Sequence, residues 1–142
     1  MAEFTTEKRV VISRDLEALA SAVARRLLDR LVKRSAAGKI THIALTGGNN
    51  GMAVLQAAGA DPRRAAVDWS TVHVWWVDER FVPRDSDERN EKTARDALLN
   101  RVDIPSENIH PIAASDDGLD LDGAAAAYAA ELARFASDDK AW

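Results

Sequence analysis

Val72-His73-Val74-Trp75-Trp76-Val77, followed at once by Asp78-Glu79-Arg80, is the stretch on which the fold turns. Successive side chains of a strand point to opposite faces. A strand over residues 71–77 therefore puts Val72, Val74 and Trp76 on one side and His73, Trp75 and Val77 on the other. Both sides are mostly apolar, and such a strand belongs inside a sheet that helices cover on both faces. Three consecutive charges then end it.

Upstream, Ile40-Thr41-His42-Ile43-Ala44-Leu45 reads as another strand. It runs into the glycine-rich turn Thr46-Gly47-Gly48-Asn49-Asn50-Gly51, and a short helix over 52–58 follows, closed by Gly59. Earlier still, residues 9–12 form a short strand. Ser13 or Asp15 then caps a long helix, since either side chain can accept from a free first-turn amide. Leu16, Leu19, Ala20, Val23, Leu27 and Leu31 give that helix an apolar stripe at three- and four-residue steps, and Gly38 ends it.

Downstream, Asp85, Ser86 and Asp87 offer caps for a helix running to about Leu99. Residues 109–112 suit a short edge strand, because Pro111 cannot donate to a ladder. Leu121, Ala125, Tyr128, Leu132 and Phe135 mark a last amphipathic helix, and residues 137–140 a turn-like tail. Strands alternating with helices point to an α/β fold with a mostly parallel sheet and right-handed crossovers. Ligands on such sheets bind beyond the carboxyl ends of the strands, which here carry residues 46–51 and 78–80.

The chain has 142 residues, 46% of them hydrophobic and 30% charged, as expected for one α/β domain over residues 1–142. No apolar run nears the roughly 20 residues of a spanning helix, so no membrane partner is expected. The first nine residues are polar and lack the apolar core of a secretory leader. The absence of cysteine excludes disulfides and thiolate chemistry and fits a reducing, cytoplasmic setting. The net charge of −4 argues against nucleic acid as a partner. The basic excess lies between Arg25 and Lys39, either a solvated helix face or a polyanion-binding strip.

Glycines let the 46–51 turn bring backbone amides close to an anion, and the helix behind adds partial positive charge. Thr46 stands where a dinucleotide fingerprint needs glycine, and no Gly-Lys-Ser/Thr follows, so the turn suits a phosphate or carboxylate or is simply a tight turn. In Asp78-Glu79-Arg80 an arginine can grip a phosphate bidentately and a carboxylate can act as base or orient a hydroxyl; a surface ion-pair cluster is the alternative. His42, His73 and His110 lack metal-ligand spacing and read as structural, as Trp69, Trp75 and Trp76 read as core. No Gly-x-Ser-x-Gly elbow is present.

Leu45-Thr46-Gly47-Gly48, the 72–83 segment ending Asp78-Glu79-Arg80-Phe81-Val82-Pro83, Asp87-Glu88-Arg89-Asn90, and Ile104-Pro105-Ser106-Glu107-Asn108-Ile109-His110-Pro111 together resemble the glucosamine-6-phosphate isomerase/6-phosphogluconolactonase family, in its lactonase branch. The resemblance implies a Rossmann-like three-layer α/β/α fold. It also implies a lactone hydrolase that converts 6-phosphogluconolactone to 6-phosphogluconate in the pentose phosphate pathway, without metal or cofactor. Carried over, Gly47, Gly48 and Arg80 would line the sugar-phosphate site, with Asn49, Asn50, Asp78, Glu79 and Asn90 around them and a supporting role open to Asp78. Asn49-Asn50 departs from the Ser-Thr or Ser-Pro common in the family. The family's general-base histidine sits in a Gly-x-Asp/Glu-Gly-His segment that this sequence lacks. The expectation is therefore the N-terminal part of a longer lactonase domain, completed by a C-terminal continuation or a second chain. The alternatives are a non-catalytic sugar-phosphate-binding module and a structural fragment that needs a partner chain.

Overall fold

Two parallel strands set the frame. In the computed structural model, which describes residues 15–136, β1 (Thr41–Leu45) pairs with β2 (Val72–Trp76) residue for residue, from Thr41 opposite Val72 to Leu45 opposite Trp76. This register puts Ile43, Leu45, Val72, Val74 and Trp76 on one face of the sheet. That face meets α1 (Leu16–Ala36), α2 (Gly48–Ala60) and α3 (Asn90–Ala97) in one core with Leu28, Leu31, Leu55 and Leu98. The opposite face carries His42, His73 and Trp75 and is covered by α4 (Leu121–Phe135) through Tyr128 and Phe135. Helices thus lie on both faces of a parallel sheet, as the doubly apolar β2 requires. Burying a large apolar side chain contributes roughly 1.5–3 kcal/mol, and Trp75 and Trp76, each 3% exposed, do so on opposite faces.

Several expectations need correction. The strand at 9–12, the cap at Ser13 and the tail at 137–140 lie outside the described residues. In α1 the N-cap is Asp15, which accepts from the Ala18 amide at 2.8 Å, and Gly38 follows the helix at φ +70°. The buried stripe is Ala20, Ala24, Leu28, Leu31 and Ser35, whereas Leu16, Leu19 and Val23 are exposed. Both stripes satisfy the three-and-four spacing; the small alanines face inward because α1 lies directly along α2.

Gly59 does not close α2. It is buried inside the helix, where a Cβ would lie 2.0 Å from the Ala97 carbonyl oxygen, so α2 and α3 approach more closely than any side chain permits.

The 109–112 segment forms no strand. It makes a single parallel bridge, Ile109 to Val74, with the His110 amide donating to the Val74 carbonyl at 2.9 Å. The next β2 amide, that of Trp76, donates instead to the Tyr128 hydroxyl at 2.8 Å, and that hydroxyl donates to the His110 carbonyl at 2.9 Å. A phenol from α4 therefore stands where a ladder bond would continue.

Candidate functional site

The carboxyl ends of β1 and β2 bring Gly47, Gly48, Asp78, Arg80 and Asn90 to one edge of the sheet. The glycine turn is shorter than its sequence suggests. Gly47 is the N-cap of α2, without a side-chain cap bond, and the helix already begins at Gly48, with Asn49, Asn50 and Gly51 in its first turn. Glycine and asparagine are poor helix formers, but α2 is held by its packing against α1 and α3. First-turn amides of a helix have no intrahelical partner, and here no side chain among the described residues caps them. Asn49 and Asn50 are exposed beside them.

Asn90 joins the two strand ends. Its side chain fills the space above Gly47, and its Nδ2 donates to the Asp78 carbonyl at 3.3 Å. It opens α3, which starts later than expected. Asp85, Ser86 and Asp87 do not cap this helix; Glu79 does, from the end of β2. The Glu79 carboxylate accepts from the Asn90 amide (2.7 Å), the Glu91 amide (2.8 Å) and the Arg80 amide (2.8 Å). A carboxylate at a helix N-terminus also interacts favourably with the macrodipole. Its side chain is 1% exposed. Glu79 was expected among the ligand-facing residues; its oxygens are instead engaged by protein amides, and the physical reason is that the start of α3 needs acceptors.

Asp78 and Arg80, on either side of it, are exposed. The Arg80 guanidinium makes no hydrogen bond or ion pair among the described residues. An apolar groove of about 310 Å³ lies beside it, between Phe81, Ile112, Leu121 and Leu132. A second cavity, of about 770 Å³, lies between α1, the end of α2 and the Pro62–Ala66 turn and is lined by none of these residues.

The resemblance includes Arg89 but gives it no role. It is 0% exposed and donates to the Arg80 carbonyl (3.1 Å), the Ile112 carbonyl (2.7 Å) and Glu91 Oε1 (2.7 Å). Glu91 also receives Arg84 at 2.7 Å and Arg95 at 3.0 Å, and Arg84 pairs in turn with Asp117. That contact leads the causes holding the Asp117 carboxyl below its usual range. Nothing in the local pattern distinguishes a buried arginine from the neighbouring exposed charges.

The model of the glucosamine-6-phosphate isomerases/6-phosphogluconolactonase family matches residues 14–141. The chain belongs to this family. It is 49% identical over 125 residues to a 6-phosphogluconolactonase of Mycobacterium tuberculosis, covering 87% of this chain and 50% of that one. It is 44% identical over 127 residues to the 6-phosphogluconolactonase of Streptomyces coelicolor, covering 88% and 49%. The crystal structure of a 6-phosphogluconolactonase from Thermotoga maritima superposes with a TM-score of 0.69 at 27% identity, over 84% of this chain and 51% of that one. The chain thus spans about half the length of the relatives it matches, and its fold is the Rossmann-like α/β fold of these neighbours.

For a member of this family the placement of the histidines is informative. His42, His73 and His110 gather on the α4 face of the sheet, not at the glycine edge. His42 stacks on His73 (4.8 Å between centroids), His73 Nδ1 lies 2.9 Å from His110 Nε2, and Trp75 stacks on His110 at 3.9 Å. Trp75 Nε1 donates to His42 Nδ1 at 3.0 Å, and Phe135 packs edge-on against His42 and His110. Burial, then the neighbouring imidazoles, hold His42 down to about 4; burial lowers His73 and His110 as well. Among the described residues no group of three or more His, Asp or Glu is placed to hold a metal ion, and no helix is long and apolar enough to cross a membrane.

Proposed function

We propose that this chain is the N-terminal half of a 6-phosphogluconolactonase, a cytoplasmic lactone hydrolase that opens 6-phosphogluconolactone to 6-phosphogluconate. One observation carries the reading: in a chain 44–49% identical to 6-phosphogluconolactonases, the uncapped start of α2 at Gly47–Gly48, the exposed Arg80 guanidinium and Asn90 share one sheet edge. Helix-terminal amides and a free guanidinium are complementary to a phosphate. Gly47, Gly48, Asn49, Asn50, Asp78, Arg80 and Asn90 form the substrate-binding side of the pocket, and Glu79 shapes it from behind.

The chemistry needs a general base, and His42, His73 and His110 all lie away from the edge. A histidine from the rest of the enzyme, in a continuation or a second chain, takes a proton from water. The water oxygen adds to the lactone carbonyl, hydrogen-bond donors stabilise the oxyanion, and the ring C–O bond breaks as the histidine returns its proton to the departing ring oxygen, leaving a free hydroxyl and a carboxyl group that ionises to the carboxylate. A non-catalytic sugar-phosphate-binding module is the second reading, supported by the placement of all three histidines away from the edge.

Calorimetric titration of the 142-residue chain with 6-phosphogluconate, with gluconate and inorganic phosphate as controls, tests the shared part of both readings. Binding of 6-phosphogluconate in preference to gluconate is expected. Equal indifference to all three ligands would overturn it.

A further inference from the structure

We propose that Arg89 and Glu79 are positioning residues that clamp the Arg80 main chain and the start of α3 into one rigid edge, so that the Arg80 guanidinium, Asn90 and the α2 amides keep a fixed spacing. This inference rests on the sugar-phosphate reading above. Arg80 lies in neither strand nor helix, and its exposed guanidinium makes no hydrogen bond or ion pair among the described residues. Its peptide groups are not: the amide donates to Glu79 at 2.8 Å and the carbonyl accepts from Arg89 at 3.1 Å. The same two side chains hold the start of α3, Glu79 through the Asn90 and Glu91 amides and Arg89 through the Glu91 carboxylate.

A buried ion pair is seldom the cheapest way to stabilise a fold, because apolar residues of similar volume do as well or better. Arg89 does something that no apolar residue can. Its fork spans two main-chain carbonyls distant in sequence, Arg80 and Ile112, while its remaining donor side faces Glu79 at 3.7 Å. A lysine would keep the charge and lose the fork. A group that must meet a ligand in one geometry needs its support held to a fraction of an ångström, and the edge here has that support on both sides of the Arg80 peptide.

The test uses Arg89→Lys and Glu79→Gln in the 142-residue chain, with segment-resolved amide exchange, thermal unfolding and 6-phosphogluconate titration. For Arg89→Lys, exchange should accelerate at least tenfold at the Arg80, Asn90 and Glu91 amides and stay unchanged in α1. Affinity, measured well below the melting temperature, should fall at least tenfold. Glu79→Gln should give the same local pattern, and it carries the comparison if Arg89→Lys does not fold. A lowered melting temperature with unchanged affinity, or acceleration spread evenly over the chain, would overturn the proposal. If the unaltered chain binds no 6-phosphogluconate, the sugar-phosphate reading fails on its own, and exchange still decides the clamp: local acceleration sustains it and uniform exchange removes it.

Discussion

Asn90 occupies the space that any side chain at position 47 would need: a Cβ on Gly47 would lie 2.2 Å from Asn90 Oδ1 and 2.5 Å from its Cγ. The turn after β1 and the start of α3 are thereby locked together, although 43 positions separate them in the chain. The same amide reaches the Asp78 carbonyl, so one side chain ties both strand ends.

Gly47→Ala should therefore destabilise the chain by about 1–3 kcal/mol, the usual cost of overpacking. Asn90→Ala alone should cost about 0.5–1.5 kcal/mol for its lost hydrogen bond. The double variant should recover part of the loss, since contacting residues couple. Thermal unfolding of the four proteins checks this; strictly additive losses would mean that the two residues do not meet.

Arg80→Lys should weaken 6-phosphogluconate binding by about 1–3 kcal/mol, because lysine cannot replace two charge-assisted hydrogen bonds from a planar fork. Stability should change by less than about 0.5 kcal/mol, as for surface positions without specific contacts. Titration and melting on the same sample separate the effects. A lowered melting temperature with undiminished affinity would take Arg80 out of the site.

The histidine cluster sets a pH window. A histidine whose folded pKa lies below its unfolded value of 6.5 binds more protons when unfolded, so stability rises with pH across that interval and is level above it. With His42 held to about 4 and His73 and His110 also lowered, the melting temperature should be level from pH 9 to 7 and fall as the pH drops from 6.5 toward 4. Glu131, 3.4 Å from His110, softens the slope and Arg134 opposes it. Asp61, Asp87 and Asp117, all held below 3.8, add their loss only beneath this window. His73→Asn should flatten the curve. A level profile down to pH 4.5 in the unaltered chain would show that the imidazoles protonate freely.

The 142-residue chain alone should not hydrolyse 6-phosphogluconolactone above the buffer rate. Its three histidines pack among Trp75 and Phe135, and a missing general base costs roughly 10²–10⁴-fold. A coupled assay of 6-phosphogluconate release checks this. Sustained turnover by the pure chain would return His42, His73 and His110 to consideration as bases.

What the sequence by itself determined is what short spacings encode. The two-faced apolar run of β2 required a covered sheet. Asp15, one of the two caps the sequence offered, and Gly38 bounded α1. The glycine pair and Asp78-Glu79-Arg80 marked the edge that the tertiary structure does bring together. What only the tertiary structure decided are choices between partners of equal local merit. Two stripes on α1 share the helical period, and close approach to α2 selected the alanines. Glu79 and Asp85–Asp87 could each have capped α3, and the end of β2 lay at the right place. Ladder bonding beside Trp76 could have continued, but Tyr128, 52 residues away, supplied the hydroxyl. Arg89 reads as one more charge until Arg80, Ile112 and Glu79 close around it. Spacing of three or four residues is carried by backbone geometry; contacts across tens of residues depend on which surfaces meet, and that is settled only when the whole core packs.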